Sequence, residues 1–106
     1  MSKETQRYVI AAELKPGAAP AAELTLRAGP PFDPAEAGLT GHAAYLTDDR
    51  VYLVFEGAAA RTKALRLASE HLPEVSFWQT LVFGLPSAVA EVPAGARCLY
   101  RWQPGD

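Results

Sequence analysis

Hydrophobic and polar positions in the middle of the chain organise themselves around a turn. Residues 38–57, GLTGHAAYLTDDRVYLVFEG, hold two apolar runs, 39–47 and 50–56, on either side of Asp48-Asp49. This pattern predicts a β-hairpin, with Asp-Asp a weaker turn than Asn-Gly because both central residues need positive φ. Placing residues 48 and 49 in the turn sets Leu46 opposite Val51, Tyr45 opposite Tyr52, Ala44 opposite Leu53, Ala43 opposite Val54 and His42 opposite Phe55. Paired residues share a face. One face then carries Leu46, Val51, Ala44, Leu53, His42 and Phe55, and the other carries Tyr45, Tyr52, Ala43, Val54 and Glu56. Neither is polar, so both need cover. A chain this short covers one comfortably, and the tyrosine face is therefore expected to meet a second copy of the chain.

The same reading extends to the flanks. Residues 7–14, RYVIAAEL, alternate as a strand that Lys15-Pro16-Gly17 stops. Residues 18–28 read as a helix with Pro20 in its first turn, ended by Gly29-Pro30-Pro31. Residues 33–37, DPAEA, form a capped turn that Gly38 closes. Residues 58–72 give a long helix with Ala60, Ala64, Leu65, Ala68 and Leu72 as its apolar stripe. Residues 76–85, SFWQTLVFGL, are short and aromatic, which leaves helix and strand open, with Ser76 as a cap and Gly84 and Pro86 as stops favouring a short helix. Residues 86–95 read as a loop. The last strand, 96–103, is expected to put Cys98, Tyr100 and Trp102 on one face and Arg97, Leu99 and Arg101 on the other.

The resulting order, βαββαβ, is the ferredoxin-like unit, an α+β antiparallel sheet with helices on one face. Residues 1–106 are expected to form one such domain, with 1–6 frayed and 74–95 an insert between the second helix and the last strand. At 106 residues, 49% hydrophobic and 21% charged, the chain has room for one modest core. A net charge of −2 argues against a nucleic-acid partner. No apolar run approaches the ~18 residues of a membrane span. The start, MSKETQRY, lacks the apolar segment of a secretory signal, and the single Cys98 forms no internal disulfide, so a cytoplasmic location is expected.

Taken together, the AELKPG strand exit, the DPAEAGL turn into the hairpin, DDRVYLVFEG and the terminal YRW resemble the dimeric α+β barrel superfamily over most of residues 7–102. That superfamily includes the antibiotic-biosynthesis monooxygenase-like and stress-response barrel proteins. The resemblance implies a homodimer built from two sheets, with a pocket in each subunit between sheet and helices. It also implies a range of activities: small-molecule binding, cofactor-free oxygenation, isomerisation or cyclisation of an apolar aromatic or polyketide-like substrate, or haem binding and degradation. No catalytic residue carries over by position.

Few residues offer chemistry. His42 is the candidate base or haem ligand, though a histidine in such a setting is more often a core residue bonded to a backbone carbonyl. His71, at a helix end, fits a dipole partner. The expected ligand pocket lies between the sheet and residues 30–38 and 76–85, with His42, Phe55 and Trp78 in its wall. Phe77, Trp78 and Phe83 are candidate lid residues, or a simple cover for the core edge. Tyr45, Tyr52 and Val54 are the expected dimer interface. Glu56 reads as a salt-bridge or capping residue, or as a base if buried. Arg97 and Arg101 are candidates for a carboxylate, and Cys98 for a small core residue. No spacing suggests a metal site, and no cofactor is implied.

Overall fold

The computed structural model describes residues 5–105. Its elements are β1 (Gln6–Leu14), α1 (Ala19–Arg27), β2 (Gly41–Leu46), β3 (Arg50–Gly57), α2 (Ala60–Glu70), α3 (Leu72–Gln79), β4 (Val82–Val89) and β5 (Arg97–Trp102). All strand pairs are antiparallel, in the order β4-β1-β3-β2-β5. The molecule is thus an α+β domain with one five-stranded sheet and three helices. Residues 1–4, part of the expected frayed start, lie outside the described residues, while Gln6 already pairs with Gly57.

The hairpin keeps the register read from its sequence, from Leu46 opposite Val51 to Gly41 opposite Glu56. Thr47 closes the turn: its backbone N–H donates to the Arg50 carbonyl at 2.9 Å, and its hydroxyl oxygen accepts from Arg50 N–H at 3.0 Å. These local bonds hold an Asp-Asp turn that lacks a glycine.

The C-terminal third departs from expectation. Pro73 begins α3 rather than merely ending α2, because proline is well placed in a first helical turn. Residues 74–95, expected as an insert, supply most of α3 and all of β4. The place beside β1 belongs to β4, and the final strand sits at the opposite edge beside β2, so the strand order differs from the expected four-stranded sheet. Gly84 and Pro86 look like breakers, yet both lie within β4. Between Phe83, opposite Glu13, and Ser87, opposite Ala11, the register shifts by two residues. Gly84 takes φ +62° in this bulge, and a proline is tolerated on an edge strand with a bulge.

A second bulge interrupts β5. Tyr100 pairs with Ala44 but Cys98 pairs with Tyr45, leaving Leu99 extra. Leu99 and Tyr100 consequently both pack against the core under α1. Arg97, on the helix side, reaches Glu23 of α1 at 2.9 Å, whereas Arg101 lies opposite Ala43 on the other face. The expected alternation of β5 fails at this point, and Cys98 is exposed rather than a core residue.

Two clusters fill the helix side. Ala22 and Leu26 of α1 bury against Ala12, Leu14, Ala44, Leu46 and Val51. Ala60, Ala64 and Leu67 of α2 bury against Leu39 and Phe55. The buried stripe of α2 therefore runs i, i+4, i+7, and Leu65, expected to be inside, is 52% exposed.

The opposite face is not bare. Val9, Ala11, Ala43, Tyr52 and Val54 form a third buried cluster, with Tyr45, Val89 and Val92 packed on it. Val92 belongs to residues 90–96, which cross this face to join the β4 edge to the β5 edge. Arg7, opposite Glu56, fastens the crossing: its guanidinium donates to Glu91 at 2.6 Å and to Glu56 at 2.9 Å. Glu56 thus serves as a salt-bridge residue. Tyr52 is 5% and Val54 1% exposed within a single chain, so neither is free to form the expected dimer contact as the chain stands.

Candidate functional site

A cavity of about 490 Å³ opens on the helix side, between the sheet, the end of α1, the loop after it and α3. The sheet supplies His42, Ala44, Leu53, Phe55 and Tyr100. From the end of α1 and the loop come Leu26, Gly29, Pro30, Pro31 and Phe32, and from α3 come Pro73, Glu74, Phe77 and Trp78. Its existence follows from the small residues and breaks around it. Gly29-Pro30-Pro31 stops α1 and carries the chain away from the sheet, and Ala44 leaves a shallow floor where a larger residue would fill the space. Gly29 adopts φ +86° with its Cα side against the Tyr100 ring, where a Cβ would approach Tyr100 Cε2 to 3.3 Å. Glycine suits that position both conformationally and sterically.

His42 is the chemical centre of the wall. It is 5% exposed, and its Nδ1 lies 2.8 Å from the Val54 carbonyl oxygen. A carbonyl only accepts, so Nδ1 carries the proton and Nε2 holds a lone pair. Among the described residues no buried side-chain nitrogen or oxygen is both sealed from solvent and unpartnered. Nε2 makes no hydrogen bond with the described residues and so is not sealed from solvent, and the ring that carries it lines the cavity. Burial pushes the His42 pKa below its ordinary value, against the opposing effect of the Val54 bond, and favours the neutral ring.

Aromatic rings surround it. Phe55 lies 4.8 Å from the His42 ring centroid, Phe32 5.3 Å and Tyr100 5.7 Å, all tilted. Burial, and secondarily the negative charge of Asp33, raises the Tyr100 pKa, which keeps its hydroxyl protonated. Phe32 also contacts the His71 ring, at 5.8 Å, and there separates the apolar cavity from a more open, polar one. The second cavity, about 530 Å³, is lined in part by Asp33, Glu36, Arg66, Glu70 and His71. His71 joins α2 to α3, its Nδ1 donating to the Leu67 carbonyl at 2.9 Å. No group of three or more His, Cys, Asp or Glu side chains among the described residues is placed to hold a metal ion.

The structure brings His42, Phe55 and Trp78 into one wall, together with the loop after α1. His42 is both the carbonyl-bonded histidine and a cavity residue; the two readings are compatible because they use different nitrogens. The aromatic trio divides: Phe77 and Trp78 line the cavity, while Phe83 lies in β4 outside its lining. Tyr100 and Phe32 were the unmarked contributors. Tyr100 shares its face with Trp102, as alternation predicts, but ARCLYRW does not show which face meets the helices, whereas Phe32, a large apolar residue between prolines and an aspartate, was a usable hint.

Comparison with family models, curated proteins and solved structures gives no significant match. No helix among the described residues is long and apolar enough to cross a membrane.

Proposed function

We propose that this protein binds a small, mostly apolar aromatic molecule in the cavity beneath α1 and α3. The observation that carries this reading is a wall of aromatic and proline side chains broken by an acceptor that no protein group occupies, Nε2 of the largely buried His42 ring. Convergence of apolar surface on a few fixed polar atoms is what small-molecule sites require.

The reading has a broader frame. The βαββ start and the antiparallel sheet support a ferredoxin-like ancestry, with β5 added beside β2, and a relation to the dimeric α+β barrels. A barrel-type homodimer in this frame would place the second copy against Tyr45 and the outer side of residues 90–96. A cofactor-free oxygenase, isomerase or cyclase would use His42 Nε2 as its base. Its lowered basicity favours accepting a hydrogen bond over removing a proton, which is why binding is the primary reading.

Titration with naphthalene, followed by tryptophan fluorescence, tests it. Trp78 lies in the wall and Trp102 does not, so saturable quenching that disappears in Trp78→Phe is expected. Thermal denaturation gives a second readout: naphthalene should raise Tm, and Ala44→Leu, which fills the floor, should remove the rise. Absence of both quenching and a shift in Tm with naphthalene and with its hydroxylated analogue 2-naphthol, each at saturation, would overturn the reading.

A further inference from the structure

We propose that the cavity selects an uncharged aromatic molecule bearing a hydroxyl or ring N–H, and takes that donor on His42 Nε2. The inference rests on the reading of the cavity as a binding site, and it adds the polarity and charge of the ligand. The Val54 carbonyl fixes which nitrogen of His42 carries the proton, at 2.8 Å. That bond leaves Nε2 as an acceptor with nothing to donate, in a residue that is 5% exposed. An apolar ligand without a donor would bury Nε2 unpaired, and a buried unpaired acceptor costs more than a formed hydrogen bond returns.

Charge is settled by the rest of the lining. No Lys or Arg lines this cavity among the described residues; the one charged side chain there is Glu74. Asp33 adds a second negative charge near Tyr100. A carboxylate or phenolate would meet the His42 lone pair and these acids with no counter-ion, so anions are excluded. A neutral phenol, naphthol or indole avoids both penalties, its ring against Phe32, Phe55 and Tyr100 and its donor on Nε2.

Three probes of one size separate the possibilities: 2-naphthol, 2-methoxynaphthalene and 2-naphthoate, each titrated against the full chain at pH 7.5. The expected result is 2-naphthol binding about ten-fold more tightly than 2-methoxynaphthalene, the effect of one buried hydrogen bond, with no saturation by 2-naphthoate. His42→Asn keeps a donor for Val54 and removes the Nε2 acceptor. This variant should lose the ten-fold preference while still binding 2-methoxynaphthalene. If it does not fold, the comparison of the three probes on the unaltered protein decides alone. Equal affinities for 2-naphthol and 2-methoxynaphthalene, or tighter binding of 2-naphthoate, would overturn the donor inference and leave the apolar cavity standing. Failure of all three probes, with naphthalene also failing, would overturn both.

Discussion

His42 is a titratable ring stored neutral inside the protein, and it has a consequence for stability that does not depend on any ligand. Its folded pKa lies below the ordinary value near 6.5. The unfolded chain therefore takes up a proton at a pH where the folded chain resists it, and stability falls as pH drops below about 6.5. In urea denaturation between pH 7.5 and 5.0 the protein should lose stability more steeply than His42→Asn. The exposed carboxylates of Glu23 and Glu91, held below their usual range by Arg97 and Arg7, titrate lower and act equally in both proteins. Parallel pH profiles would mean that the ring is not held neutral by burial. The sequence placed this histidine on an apolar face through strand pairing alone. It could not show which nitrogen meets a carbonyl, because that depends on the side-chain rotamer rather than on register.

Among the elements, legibility followed how many independent signals each segment carried. The hairpin had two, alternation and a turn, and its register stands pair for pair. Helix α2 had only an apolar stripe, and in an alanine-rich segment two stripes compete. Ala60 and Ala64 belong to both, and the choice between Leu65 and Leu67 sets the phase. Leu67 is buried and Leu65 is half exposed. Leu67→Ala should accordingly cost about 2–5 kcal/mol, while Leu65→Ala should stay within about 0.5 kcal/mol; chemical denaturation of both variants checks the phase. Strand β4 was illegible for a different reason. Gly84 and Pro86 normally interrupt a strand, and only a bulge at the sheet edge accommodates them. That accommodation depends on Glu13 and Ala11 of a distant strand, which no local pattern reports.

At the scale of the whole molecule, the sequence argued correctly that an apolar tyrosine face needs cover and did not find the chain's own cover for it. Residues 86–95 read as a loop by composition, and the path of the crossing segment follows only from β4 and β5 lying at opposite edges. Burial of Val54 to 1% exposure makes it a core residue of one chain. Val54→Glu should therefore unfold the protein, since an unpaired buried carboxylate costs several kcal/mol against a total stability of roughly 5–15 kcal/mol. Loss of the circular-dichroism signal at 25 °C is the expected readout. A folded Val54→Glu monomer would instead restore an interface role. Light scattering of the unaltered protein addresses assembly directly: a mass near 11.4 kDa leaves no place for the homodimer. The cavity was partly legible for the complementary reason. Its sheet residues from the hairpin are fixed by pairing, whereas Tyr100 enters through the docking of β5 beside β2 and Phe32 through a proline-rich loop.

The link between the two sheet edges also sets a limit on how far they can separate. Four strand spacings measure about 19 Å, and the backbone from Val89 to Arg97 reaches about 26 Å when fully drawn out. Part of that reach is taken up by the turn in which Ala96 N–H donates to the Pro93 carbonyl at 3.1 Å. Little slack remains, so the two outermost strands are mechanically coupled although three strands stand between them. A span that cannot stretch resists flattening of the sheet's twist, and fraying at one margin should loosen the other. Amide hydrogen exchange would register this as β4 and β5 losing protection together when two glycines are inserted after Pro93.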